Sequence, residues 1–154
     1  MKILVKISGD LVNDSRVLTK IKELTKDNSV TLIHGAGTQI SNALKKRRIP
    51  YEFTNGIRQT TEEGLKVCLH ESNNVRKMLE KKFRRTKISI RSPVSKEGNQ
   101  IVNKNAEDVF RNICCDFDRK MLFTISDREK PLLKDIKEIE IIKLEPLQEN
   151  IMRQ

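Results

Sequence analysis

The apolar positions change period along the chain, and the changes mark its elements. Ile3, Leu4, Val5 and Ile7 form a short run that predicts a strand. Asn13, Asp14 and Ser15 offer an N-cap. Val17, Leu18, Ile21 and Leu24 follow at helical spacing, predicting a helix from Arg16 to Lys26. Ser29 to His34 is nearly continuous in apolar residues, as a buried parallel strand requires. Gly35-Ala36-Gly37 interrupts the chain before a helix from Thr38 to Arg47. Pro50 to Phe53 reads as a brief extended piece, and Thr60-Thr61-Glu62-Glu63 as a capping box opening a long helix to Phe83. Lys87 to Arg91 alternates like a strand. Ser92-Pro93 and Glu97-Gly98-Asn99 carry the turn chemistry of a hairpin. A helix over Asn105 to Phe117 and a strand over Lys120 to Ile125 follow. Ile136, Ile139 and Ile142 fit either a last helix or a last strand, and residues 146–154 read as a frayed tail.

Strand, helix, strand, glycine turn and helix in the first 47 residues predict an α/β fold with a mainly parallel sheet and right-handed crossovers. A length of 154 residues suits one compact domain. With 36% hydrophobic and 4% aromatic residues against 34% charged, its core must be thin and aliphatic. No apolar run approaches the roughly 18 residues of a membrane span. Lys6 breaks the N-terminal apolar stretch, which argues against a secretory signal. Cys68, Cys114 and Cys115 are odd in number with two adjacent, so they read as reduced thiols of a cytoplasmic protein.

The net charge is +10, from 31 Lys and Arg against 21 Asp and Glu. Residues 41–90 hold 13 basic and 5 acidic side chains, a local excess of +8. Such a face suits polyanions, nucleic acid among them. It equally suits a solvated helix surface, and no aromatic residues interleave with the cations as a stacking platform would need.

Two short stretches carry candidate chemistry. Gly35-Ala36-Gly37 lies between a strand and a helix, where small residues let a ligand approach backbone N–H groups. Ile40 stands where a dinucleotide fingerprint needs its third glycine, and no Walker-type loop occurs. Lys6-Ile7-Ser8-Gly9-Asp10 ends the first strand, and its lysine sits within an otherwise buried run. A lysine there needs an anionic partner or a route to water. In a parallel sheet both stretches open on the same edge, the edge at which such sheets bind ligands.

These residues resemble a known family. Lys6-Ile7-Ser8-Gly9, the run from Val30 to Ile40 and Asn55-Gly56-Ile57-Arg58-Gln59-Thr60-Thr61 are similar to the amino acid kinase superfamily, and within it to N-acetylglutamate kinase. Asn103-Lys104-Asn105-Ala106-Glu107 and Leu122-Phe123-Thr124-Ile125-Ser126-Asp127 resemble two later motifs, in the same order. The resemblance implies a three-layer sandwich. Residues 1–92 would form a substrate-side half and residues 93–135 the remnant of a nucleotide-side half, truncated against the family's length. It also implies transfer of the γ-phosphoryl group of ATP, with Mg²⁺, to a small-molecule carboxylate. Lys6 would neutralise the transferring group and Glu107 would orient it. Gly9, Gly35, Ala36 and Gly37 would cradle phosphoryl oxygens, Arg58 and Asn103 would hold the substrate, and Asp127 would lie on the nucleotide side.

The chain departs from the family pattern at several positions. Ala36 and Ser8 replace glycines, and Glu107 stands for an aspartate. The segment from Phe83 to Lys87 is shorter than the family's substrate cover. Arg128-Glu129-Lys130-Pro131 replaces a glycine-containing loop, and no Gly-Gly-Met-x-x-Lys motif with its second catalytic lysine is present. A catalytically silent, anion-binding or regulatory relative is therefore the alternative reading, and a nucleic-acid-binding protein the third. The helix from Thr61 to Phe83 resembles the family's dimer helix and implies a homodimer through Leu65, Leu69, Val75, Met78 and Leu79.

Overall fold

A computed structural model describes residues 1–125, 133 and 135–147. Nine strands and four α-helices are assigned among them. The strands are β1 (Lys2–Ile7), β2 (Ser29–His34), β3 (Tyr51–Thr54), β4 (Ile57–Thr60), β5 (Ile88–Arg91), β6 (Val94–Glu97), β7 (Gln100–Asn103), β8 (Arg119–Ile125) and β9 (Ile139–Leu144). The helices are α1 (Ser15–Leu24), α2 (Gly37–Lys46), α3 (Glu62–Lys82) and α4 (Ala106–Ile113).

The central sheet has the order β5-β2-β1-β8-β9, and all four pairings are parallel. Alternation along β1 divides its side chains between two layers. Ile3, Val5 and Ile7 join α1, α2 and α3 in the main core, with Val17, Leu44 and Leu79 fully or almost fully buried. Leu4 points the other way and packs with Ile33, Leu122 and Phe110 of α4. The result is the parallel α/β fold that the alternation predicts, in the three-layer sandwich that the resemblance implies. The route from β1 to β2 and on to β5 runs over one face. The return from β5 to β8 runs over the other, through α4. This reversal places a topological switch point beside β1.

Two hairpins, β3–β4 and β6–β7, stand outside the sheet. The second follows the expectation and turns at Gly98 with φ +61°. The first is a finding that sequence reading gives only as one extended piece. It turns at Asn55 and Gly56, with φ +52° and +76°, the left-handed pair of a tight hairpin turn.

Asp14 caps α1, its carboxylate accepting from the Arg16 amide at 2.9 Å. Thr61 caps α3 by accepting from the Gly64 amide at 3.0 Å. Thr60, the other threonine of the expected box, instead donates to the Pro50 carbonyl at 2.8 Å and ties the hairpin to its entry. The expected helix from Asn105 to Phe117 ends earlier, at Ile113, and a single 3₁₀ turn over Cys114–Asp116 follows. Asp118 then accepts from the Lys2 amide at 2.7 Å, which draws the chain into the sheet. Ile139 and Ile142 prove to lie on a strand, the edge strand β9. No helix among the described residues is long and apolar enough to cross a membrane.

Candidate functional site

The carboxyl ends of β1 and β2 carry two glycine turns packed against each other. The Gly35 amide donates to the Ile7 carbonyl at 2.8 Å. A Cβ built on Gly35 would lie 2.9 Å from the Gly9 nitrogen, and one on Gly9 would lie 3.3 Å from both the Ala36 and Gly37 nitrogens. Only residues without side chains fit this approach. Gln39 stitches the turns by donating from Nε2 to the Gly9 carbonyl at 2.9 Å, and Thr38 by donating to Asp10 at 2.5 Å. Ala36 precedes α2 and gives it no side-chain cap. The helix therefore starts with backbone donors and the positive end of its dipole beside the turns.

Lys6 lies on the α4 face of β1, two residues beyond Leu4. Glu107 lies one helical turn before Phe110, the residue that packs on Leu4. That spacing brings Lys6 Nζ to 3.1 Å from Glu107 Oε1, with side-chain exposures of 2% and 12%. The burial that the sequence flags as costly is thus compensated by a carboxylate.

Arg58 reaches the same place from β4. Its Nη2 donates to the Gly37 carbonyl at 3.1 Å and to Ser41 Oγ at 3.0 Å. Its Cζ lies 4.5 Å from the Tyr51 ring centroid and 4.7 Å from that of Phe53. Phe53 faces Arg58 directly across the hairpin, and Tyr51 precedes it by two, so all three share one face. The side chain is 7% exposed, yet Nη1 is buried and has no hydrogen-bond partner. Asn103 donates to the Arg58 carbonyl at 3.1 Å. Asn105 caps α4 by accepting from the Glu107 amide at 2.8 Å and donates to the Gly56 carbonyl at 3.0 Å. One asparagine thus sets both the hairpin tip and the helix that carries Glu107.

These groups surround one cleft of about 250 Å³. Lys6, Gly9, Gly35, Ala36, Gly37, Arg58, Asn103 and Glu107 all line it. The ninth expected site residue, Asp127, lies outside the described residues. Sequence reading misses Lys104, Phe53 and Asn105, which also line the cleft. Lys104 adds a third cation, exposed and 3.8 Å from Glu97 Oε1, to Lys6 and Arg58 in the wall. Among the described residues no group of three His, Cys, Asp or Glu side chains is placed to hold a metal ion.

His34, which leads into the glycine turn, is fully buried. Its ring lies 2.6 Å from Ser92 Oγ through Nε2 and 3.2 Å from the Gly35 carbonyl through Nδ1. Burial pulls its pKa down to about 4, against a raising contribution from the Gly35 carbonyl. A neutral imidazole is therefore part of the native state. Tyr51 is lowered from its ordinary value, first by its hydrogen bond to Ser41, and burial pushes the Cys68 thiol up.

Paired glycine turns, an uncapped helix start and convergent cations meet at the carboxyl edge of a parallel sheet, the edge at which α/β folds bind ligands. The sequence model of the amino acid kinase family matches residues 1–127, and the chain belongs to that family. It is 35% identical over 69 residues to an acetylglutamate kinase of Geobacillus sp. (strain WCH70), covering 43% of this chain and 27% of that kinase. It is 53% identical over 39 residues to an acetylglutamate kinase of Hydrogenobaculum sp. (strain Y04AAS1), covering 25% of this chain and 14% of that one. The matched segment therefore spans about a quarter or less of these relatives' length. Among solved structures, smu.665 of Streptococcus mutans UA159 superposes with a TM-score of 0.67 at 15% identity, covering 83% of this chain and 73% of that one. An N-acetylglutamate synthase of Neisseria gonorrhoeae, complexed with coenzyme A and L-arginine, superposes at 0.63 and 14% identity, covering 84% of this chain and 45% of that one. These two likenesses bear on the fold.

Proposed function

We propose that the cleft binds a small-molecule carboxylate and transfers to it the γ-phosphoryl group of ATP. The observation that carries this reading is the meeting of Lys6, the two glycine turns and Arg58 in one cleft. The close approach of Gly9 to Gly35 leaves a backbone cradle free of side chains, and the uncapped start of α2 adds donors to it. That chemistry fits a phosphoryl group. Bound ATP would supply the phosphoryl group. Mg²⁺ in such sites takes its ligands largely from phosphate oxygens and water.

The chain's own residues act by position and charge. Lys6 holds a cation at the inner end of the cradle, and Glu107 fixes its ammonium. Backbone N–H groups at Gly9 and Gly37 would stabilise charge on transferring oxygens, and no covalent nucleophile is needed. Arg58 grips the substrate carboxylate with its spare Nη1, from a guanidinium already fixed by two acceptors and two rings. Asn103 keeps the Arg58 backbone in place.

A thermal-shift titration with Mg-ATP, N-acetylglutamate and both together tests this reading. A ligand at 100 times its Kd stabilises by about 2.7 kcal/mol. A shift with each ligand, followed by ADP release in the presence of both, is the expected result. A shift with the acylamino acid alone leaves an anion-binding relative without turnover. No shift with either ligand removes the reading.

A further inference from the structure

A second cleft, of about 370 Å³, adjoins the first, and the two share Gly37, Phe53 and Arg58 in their walls. The rest of its wall is one stripe of α2: Thr38, Ser41, Asn42 and Lys45. These residues are spaced three, one and three apart, which puts their side chains on one helix face. Every one of them is polar, and Lys45 is exposed. None of the ion pairs among the described residues involves Lys45.

Arg58 belongs to both clefts. It is nine-tenths buried, and its Nη1 has no partner. An unsatisfied buried guanidinium nitrogen is costly unless a ligand supplies the acceptor. A ligand whose carboxylate meets Arg58 therefore lies at the junction of the two clefts. Phe53 is 60% exposed and lines both. Any part of that ligand extending past Arg58 meets the Asn42 amide and the Lys45 ammonium, which would hold a second anionic group, while the Thr38 hydroxyl is already given to Asp10 and Ser41 Oγ already accepts from Arg58.

We infer that the Thr38–Ser41–Asn42–Lys45 face is a second anion subsite, and that this chain's ligand carries a further carboxylate beyond the one held by Arg58 and the one that would accept the phosphoryl group. The inference rests on the carboxylate-gripping role given to Arg58 above. Lys45 supplies the countercharge and Asn42 donates a hydrogen bond, the Ser41 hydroxyl being engaged by Tyr51 and Arg58. The chemical class is an acylated acidic dipeptide or a tricarboxylate of similar reach.

Isothermal titration calorimetry on the full chain tests it with three probes: N-acetylglutamate, N-acetyl-glutamyl-glutamate and N-acetyl-glutamyl-glutamine. The last two have nearly the same size and differ by one carboxylate. The acidic dipeptide is expected to bind about fivefold tighter than its glutamine twin, the value of one exposed ion pair. Lys45→Gln should erase that ratio. Lys22→Gln removes the same charge from α1, outside both clefts, and should leave the ratio in place. Equal affinities for the twins, or a ratio that survives Lys45→Gln, overturns the subsite while N-acetylglutamate binding still upholds Arg58. Failure of all three probes to bind removes the Arg58 reading, and the subsite with it.

Discussion

Lys6 and Glu107 face each other at 3.1 Å across the boundary between sheet and helix, one nearly sealed from water and the other almost so. The pair joins the first strand to the fourth helix and sets the charge at the inner end of the cleft. Removing the carboxylate alone leaves a buried ammonium without this partner. Glu107→Ala is expected to lower stability by about 3 kcal/mol in urea denaturation. The double variant Lys6→Met, Glu107→Leu should recover most of that loss while abolishing anion binding. If Glu107→Ala unfolds at the wild-type urea midpoint, the pair does not support the fold.

The two glycines of the second turn should respond oppositely to alanine. Gly35→Ala drives a methyl group to 2.9 Å from the Gly9 nitrogen, where backbone must move. A loss of about 1–3 kcal/mol is expected. Gly37 has nothing within 4 Å of its missing Cβ. Gly37→Ala should unfold within about 0.5 kcal/mol of wild type, yet weaken ligand binding because the new methyl stands in the cleft. Circular dichroism melts beside a ligand titration separate the two effects.

His34 makes stability depend on pH in a definite direction. Its folded pKa of about 4 lies below the ordinary 6.5, so the unfolded chain takes up the proton first. Stability is complete above pH 6.5 and falls as pH drops from there toward 4, by up to about 3 kcal/mol. The Asp14 carboxyl, held below its usual value chiefly by hydrogen bonding from Arg16, adds its loss only at still lower pH. Denaturation midpoints measured from pH 7.5 to 4 should slope accordingly, and His34→Gln should flatten that slope.

Asn105 binds two elements with one side chain. Asn105→Ala removes the α4 cap and the tie to the Gly56 carbonyl. A stability loss of about 1 kcal/mol follows from the cap alone. The ligand Kd should rise as well, because the β3–β4 hairpin carries Arg58. Asn105→Asp keeps the cap and loses the donor, so it should retain stability while still weakening binding. Equal binding by wild type and Asn105→Asp would show that the hairpin needs no tether.

The glycine edge is readable in the sequence because parallel strands all open the same way. Once Ile3–Ile7 and Ser29–His34 are strands, Gly9 and Gly35–Gly37 must be neighbours. Arg58 and Asn103 need the family resemblance, since nothing in their local pattern says what they face. The β3–β4 hairpin escapes a search for periodicity. Its strands are four residues long and largely exposed, so no apolar alternation exists to find. Asn55-Gly56 is the usable signal, and the register it sets places Phe53 opposite Arg58. The edge strand β9 is ambiguous for a similar reason: Ile141 is 44% exposed while Ile139 and Ile142 are half-buried, so neither period is kept. Lys6 and Glu107, 101 positions apart in the sequence, become a pair only when α4 crosses the second face.

The central position of β1 has a consequence for how the protein is made. Its partner on one side, β2, begins 27 residues after it and can pair early. Its partner on the other side is β8, and the contact between Ser8 and Thr124 spans 116 residues. During synthesis the first strand therefore waits with one edge open until β8 has emerged, more than a hundred residues later. Closing so long a loop is slow and comes late. The Lys6–Glu107 pair joins β1 to α4, the helix that leads into β8, so the cleft is complete only once that second face has closed. Ligand capture thereby reports that β8 has docked beside β1, and a nascent chain stalled before residue 119 should bind nothing.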